Sequence, residues 1–190
     1  PFPDHPYKDK DDEDMMNLVE SVKANGVITP ATLRKKDDGR FELVSGHRRK
    51  RACELAGFKT LRSEVVEMNH NEAVVFMVES NFQRTEILPS EKGFAYKMRL
   101  EAIMRERKRI QEEARKNGEL LSNEQIIAMM PLGKDYITED SSMGSGAPEG
   151  HLGNLKSRDI AAHIGGDSKS QVQRYIRITE LIEPLRDKVD

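Results

Sequence analysis

The densest chemistry in this sequence lies in Val44-Ser45-Gly46-His47-Arg48-Arg49-Lys50-Arg51-Ala52. Four cationic side chains follow one glycine within five positions. An apolar, strand-like run from Phe41 to Val44 precedes them, and Ala52, Leu55 and Ala56 then recur at helical spacing. Strand, glycine and helix start is a geometry that binds phosphate. The uncapped N–H groups of the first turn and the positive end of the helix dipole converge on one spot. Glycine lets a ligand approach the backbone, and arginine grips phosphate oxygens with two parallel hydrogen bonds. The plainer reading of the same residues is a solvated cationic helix face.

A second set of residues could read nucleic acid. Ser168 is expected to cap a helix that turns Val172, Tyr175, Ile176 and Ile178 inward. Ser168, Lys169, Ser170, Gln171, Gln173, Arg174 and Arg177 would then face out, and these residue types contact base edges and phosphates. Ile160, Ala161 and Ile164 predict a short helix before it, and Gly165-Gly166-Asp167 a turn, which is helix-turn-helix spacing. A structural helix pair has the same spacing. Between Lys97 and Lys116, eight Lys or Arg stand against four Glu, a net of +4 that could track phosphates or simply solvate a helix.

The elements that position these groups read as follows. Pro1, Pro3 and Pro6 predict an extended opening. Asp11, Asp12, Glu13 and Asp14 then start an amphipathic helix through Met15, Leu18, Val19 and Val22, placing acids at its positive end. Strands are expected over 27–34, 41–44 and 60–66, with a hairpin turn at Asp37-Asp38-Gly39. A helix through Ala73, Val74, Met77 and Val78 is expected to break near residues 80–84. Ser90 is expected to cap a long helix, and Ser122 to open a short one ending at Met130. The fold class is therefore α+β: a small N-terminal domain over 1–89, then an all-α domain over 90–190 with its helix-turn-helix at about 157–178.

Composition bounds the function. The 190 residues carry a net charge of −2, so any nucleic-acid footprint must be local. One cysteine, Cys53, excludes an internal disulfide and reads as a packed thiol. No apolar run approaches the ~20 residues that span a bilayer. The five histidines have no metal-ligand spacing, and no nucleophile constellation is visible. The abrupt ends suggest a piece of a longer protein.

Taken in order, these motifs resemble the ParB family of chromosome- and plasmid-partition proteins over nearly the whole length. The resemblance rests on the His5-Pro6-Tyr7-Lys8 opening, the acidic helix, Gly26-Val27-Ile28-Thr29-Pro30, the Gly46 to Ala52 box, Ser80-Asn81-Phe82-Gln83-Arg84, the long helix and the helix-turn-helix. Leu88-Pro89-Ser90-Glu91-Lys92 looks like the subgroup on plasmids and mobile elements of Gram-positive bacteria. The resemblance implies a ParB/sulfiredoxin-like N-terminal domain that binds CTP and Mg2+. It also implies a helical domain that binds a palindromic, centromere-like double-stranded DNA site. The expected setting is the bacterial cytoplasm, on nucleoid or plasmid, with no membrane contact. The expected partners are a ParA-type ATPase and a second copy of the chain, engaged through CTP-bound N-domains as a sliding clamp. A further C-terminal dimerisation domain is implied.

Carried over by position, Ser45, Gly46, His47, Arg48, Arg49, Arg51 and Ala52 would line the triphosphate. Glu79, Ser80, Asn81, Gln83 and Arg84 would flank it, with Asn81 near the metal, and Pro6, Tyr7 and Lys8 would complete the pocket. Family members usually carry glutamate where this chain has His47 and Ser80. Acids suit metal coordination or water activation, so their replacement predicts that CTP binds but turns over slowly or not at all. One alternative is a helix-turn-helix transcriptional regulator that has lost the nucleotide switch. A sulfiredoxin-like reductase fits poorly, because Cys53 lies well inside the basic helix rather than beside the Gly46 turn. The stretch 105–156 is longer than in compact members and is expected to be a loop.

Overall fold

The structure is a computed structural model, described for residues 11–82, 87–130, 167–181, 185 and 188–190. It divides into two units, Pro1–Thr85 and Glu86–Asp190. The fold class is α+β, with a small sheet in the first unit and helices in the described part of the second.

In the first unit, helix α1 (Glu13–Asn25) begins at Asp12, whose carboxylate accepts from the Met15 N–H at 3.0 Å. Strands β1 (Ala31–Lys35) and β2 (Phe41–Ser45) form an antiparallel hairpin, and β3 (Ser63–Val66) joins β1 in parallel, giving the order β2-β1-β3. Helix α2 (His47–Leu55) follows β2 directly. Helix α3 (His70–Phe82) packs on β2. Met15, Val19 and Val22 of α1 bury against Ala52 and Cys53 of α2, so the basic helix is held by its apolar back. Burial raises the Cys53 thiol pKa, in keeping with a packed sulfur.

Three boundaries differ from the sequence reading. The first strand starts at Ala31 rather than Val27, because Pro30 has no N–H for the ladder; the Ala31 N–H is the first to bond across, to Arg62 O at 3.0 Å. The third strand is shorter than expected, beginning at Ser63. The second strand runs to Ser45 rather than Val44, while helix α3 ends at Phe82, inside the span 80–84 where its break is expected.

An unforeseen ion pair spans the hairpin. Arg34 and Glu42 are direct cross-strand partners, Arg34 Nε donates to Glu42 Oε2 at 2.7 Å, and the side chains are only 9% and 8% exposed. Arg34 Nη2 also lies 3.5 Å from His70 Nδ1 at the start of α3.

In the second unit, helix α4 (Pro89–Lys116) is 28 residues long and starts from Leu88 rather than Ser90. The residue before a proline is driven extended, and proline suits the first helical turn, so Leu88-Pro89 sets the start. Glu91 Oε2 accepts from the Leu88 N–H at 3.3 Å, and Ser90 instead donates its N–H to Asp190. Residues 105–116, expected as loop, complete α4, and α5 (Asn123–Met129) follows with the Ser122/Gln125 capping box the sequence predicted. The rest of that stretch, 131–156, lies outside the described residues. Within α4 all four glutamates of the 97–116 run are engaged by three of its eight cations: Arg105 pairs with Glu101, Lys108 with Glu112, and Arg109 with Glu106 and Glu113. Those three cations fit the solvated-face reading, and the net of +4 is unchanged by the pairing.

Helix α6 (Lys169–Ile178) docks on α4. Tyr96, fully buried, donates its hydroxyl to Asp167 at 2.7 Å, and Lys92 Nζ reaches the same carboxylate at 3.2 Å. Burial, and after it the Asp167 bond, holds the Tyr96 pKa far above its ordinary value. The Tyr96 and Tyr175 rings stack at 6.2 Å. Gly93 makes the approach possible: a Cβ there would stand 2.3 Å from the Tyr175 carbonyl oxygen.

Two outcomes follow. Gly93→Ala would gain about 1 kcal/mol on an open helix face, but here the backbone clash is expected to override that gain. We expect a net loss of about 1–3 kcal/mol in urea denaturation, and a stabilised variant would refute the close approach. Glu42→Gln leaves Arg34 buried without its counter-charge and is expected to cost about 3 kcal/mol. Replacing the pair together by Met and Leu should recover most of that loss in the same assay.

Candidate functional site

The N-terminus of α2 differs from those of the other described helices. Asp12 caps α1, Asn69 caps α3 by accepting from Glu72 N–H at 3.0 Å, Ser122 caps α5 and Ser168 caps α6. Glu91 satisfies the start of α4. At α2 the N-cap is Gly46, with φ 101°, a residue with no side chain to cap the first turn. A Cβ at Gly46 would meet the Ala31 Cβ at 2.9 Å and the Arg49 Cζ at 3.2 Å. Glycine is therefore required both by its backbone angle and by the neighbouring strand. The first turn offers backbone donors and a dipole with no acid in it to neutralise them.

The arginines around this turn are differently engaged. Arg49 folds back under it, Nη1 donating to the Thr29 carbonyl at 2.7 Å and to the Pro30 carbonyl at 2.5 Å. Burial lowers its pKa and nearby Glu64 partly offsets the effect, so Arg49 is a structural cation tying α2 to the chain before β1. Arg51 holds Asp11 with both edges of its fork, Nε to Oδ1 at 3.2 Å and Nη2 to Oδ2 at 2.7 Å. Arg48 Nη2 reaches Asp12 Oδ1 at 3.2 Å. The Arg51 bond chiefly holds the Asp11 carboxyl below its usual range. For Asp12 the Met15 N–H has the larger effect, with Arg48 adding to it. Ser45 and His47 flank Gly46 half-buried, and Ala52 faces the α1 core rather than the turn.

The residues expected on the far side of the pocket sit at the end of α3. Ser80 Oγ and Asn81 Nδ2 both donate to the Met77 carbonyl, at 3.0 and 2.8 Å, and Glu79 is half-buried beside them. Asn81 thus uses its nitrogen within the helix, which turns its oxygen, the atom a hard cation takes, the other way. Among the described residues no three His, Cys, Asp or Glu side chains converge as a metal site. Pro6, Tyr7, Lys8, Gln83 and Arg84 lie outside the described residues.

On α6, Ser168, Lys169, Ser170, Gln171, Gln173, Arg174 and Arg177 are all exposed, while Val172 is buried and Tyr175, Ile176 and Ile178 are half-buried. Ser168 and Gln171 have a second duty. Gln171 N–H donates to Ser168 Oγ at 3.3 Å, and Ser168 N–H donates to Gln171 Oε1 at 2.8 Å. Their side chains close the helix start, so Gln173, Arg174 and Arg177 are the more adaptable contacts. The preceding expected helix, 157–164, and its turn at 165–166 lie outside the described residues.

Sequence reading missed the partners of the arginines. Asp11 and Asp12 read as dipole-matched acids because they sit next to a helix start; their distance of 36 and 40 residues from Arg48 and Arg51 hid the pairing. Glu64 and the Thr29 and Pro30 carbonyls carried no local signal at all.

Among known proteins, a family model of the ParB N-terminal domain matches residues 1–82. The chromosome-partitioning protein ParB of Myxococcus xanthus (strain DK1622) is 27% identical over 179 residues, covering 93% of this chain and 60% of that protein. Stage 0 sporulation protein J of Bacillus subtilis (strain 168) is 28% identical over 189 residues, covering 100% of this chain and 66% of the relative. The nucleoid occlusion protein of Geobacillus sp. (strain WCH70) is 32% identical over 91 residues, 48% of this chain and 32% of that protein. The chain thus spans between 32% and 66% of the length of these relatives. Two crystal structures of C-terminally truncated chromosome-partitioning protein ParB from Caulobacter crescentus also match. The one complexed with CTP-gamma-S aligns at a TM-score of 0.40 and 24% identity, over 92% of each chain. The one complexed to the centromeric parS site aligns at 0.44 and 22%, over 99% of this chain and 92% of the other. Over residues 1–82 this chain matches the family of ParB N-terminal domains.

Proposed function

We propose that this chain is a nucleotide-binding and DNA-binding partition protein. The observation that carries the reading is the start of α2: a glycine N-cap at φ 101°, no side-chain cap, and Arg48 and Arg51 on its first two turns. Backbone donors, helix dipole and guanidinium groups together suit a run of phosphates. These features speak to phosphate; the choice of CTP rests on the resemblance of the ordered sequence motifs to the family. Asn81, with its nitrogen engaged, could give its oxygen to Mg2+, which takes few protein ligands and fills its octahedron with phosphate and water.

The exposed face of α6 supports the second half of the reading, a duplex DNA site approached by Lys169, Gln173, Arg174 and Arg177. The palindromic form of that site, the nucleotide-dependent pairing of two copies, and a ParA-type ATPase partner are further parts of the proposal. They rest on the resemblance to the ParB family, as does action on a plasmid, a mobile element or the chromosome. A second reading, a DNA-binding regulator without a nucleotide switch, is favoured by one observation: Arg48 and Arg51 already hold carboxylates.

Calorimetric titration of the full chain with CTP, ATP, GTP and UTP in magnesium separates the two. Our reading expects CTP-selective binding, abolished by Arg48→Ala with duplex affinity largely kept; a folded sample that binds no nucleotide would establish the plain regulator. With DNA present, CTP turnover should fall below that of glutamate-bearing relatives. On the other unit, Arg174→Ala should weaken binding to the specific duplex by about 1–3 kcal/mol and to random duplex much less. Equal losses on both would assign Arg174 to phosphates.

A further inference from the structure

We infer that Asp11 competes from within the chain for the arginine that a triphosphate would take, so that nucleotide binding at α2 begins with the exchange of a carboxylate for a phosphate. This rests on the nucleotide reading above and concerns its regulation. Arg51 meets Asp11 through Nε and Nη2, the planar fork by which a guanidinium also grips phosphate. The same edge cannot serve both acids at once. The pair is weak enough to yield: Arg51 is 43% exposed and Asp11 52% exposed, and ion pairs that wet contribute little. A triphosphate brings several negative charges and gains the α2 backbone donors as well, which a carboxylate held at Arg51 does not reach.

The two acids are not equivalent. Asp12 Oδ1 accepts both from Arg48 and from the Met15 N–H, so it cannot leave without uncapping α1. Among the described residues Asp11 bonds Arg51 alone, and its departure costs no helix cap. Asp11 is therefore the carboxylate that gives way and Asp12 the one that stays. Glu54 stands 4.0 Å from Arg51 Nη1 but is already bonded by Lys50, so it does not replace Asp11 on the fork. The pairing lowers affinity in proportion to its own strength, which makes occupancy at α2 a graded function of that one contact.

The test is CTP titration, in magnesium, of the unsubstituted chain, Asp11→Asn and Asp14→Asn. Asparagine keeps the shape of aspartate and removes its charge. Asp14, three residues on in the first turn of α1 and exposed, serves as the control for charge in general. Asp11→Asn is expected to bind CTP about two- to fivefold tighter, the range an exposed ion pair allows, with the gain shrinking as salt is raised. Asp14→Asn should change affinity much less. Equal gains in both variants would mean a general charge effect and overturn the inference. Unchanged or weaker binding by Asp11→Asn would also overturn it, the latter showing that Asp11 holds Arg51 ready for phosphate. If none of the three folded proteins binds nucleotide, the nucleotide reading itself falls and this inference with it.

Discussion

The distance between Gly46 and Ala31 sets what the first unit can do. With hydrogen in place of a methyl group, the chain leaves β2, turns through φ 101° and enters α2 within one residue. The same closeness brings Arg49 under the turn, where it binds the carbonyls of Thr29 and Pro30 just ahead of β1. The strand start, the left-handed turn and the helix start are thus one mechanical unit. A side chain at position 46 would move all three, and with them the ring of backbone donors at the first turn of α2.

Around that unit the charges divide by exposure. Arg34 and Glu42 are buried and paired across the hairpin, where an unpaired charge would be costly. Arg49 is partly buried and satisfied by neutral carbonyls. Arg48 and Arg51 are wetter and hold carboxylates that water can replace at little cost. So three arginines within four positions of one helix have two kinds of partner, carbonyls for Arg49 and carboxylates for Arg48 and Arg51. Of the two carboxylates, the one on Arg51 is not also a helix cap.

Much of this was legible from residue order. The periodicity of α1, the hairpin at Asp37-Asp38-Gly39, the Ser122 and Ser168 caps, and the glycine before the basic helix are local signals, and local chemistry decides them. The misses have two causes. Where α4 begins was decided by a proline overriding a serine, a contest between two local signals of which the backbone restriction is the stronger. The Arg34–Glu42 pair, the Asp11–Arg51 pair and the Tyr96–Asp167 bond join residues 8, 40 and 71 apart. No periodicity announces such pairs, because they exist only once the fold has closed. The charge run on α4 shows the limit of counting: its net of +4 is real, yet i,i+3 and i,i+4 geometry commits several of those cations to glutamates on the same helix.

The docking of α6 on α4 has a consequence for speed of recognition. Its N-terminus is fixed by Asp167 through Tyr96 and Lys92, its start is closed by Ser168 and Gln171, and its backbone lies against Gly93 with no room for a methyl group. A helix held at so many points has already lost its conformational entropy when the unit folds. A partner that meets its outer face therefore encounters a rigid template and does not have to wait for, or drive, an ordering step. What remains to be fixed on contact is the rotamers of a few long side chains, chiefly Gln173, Arg174 and Arg177. Contact with that face does not require the helix to form or melt.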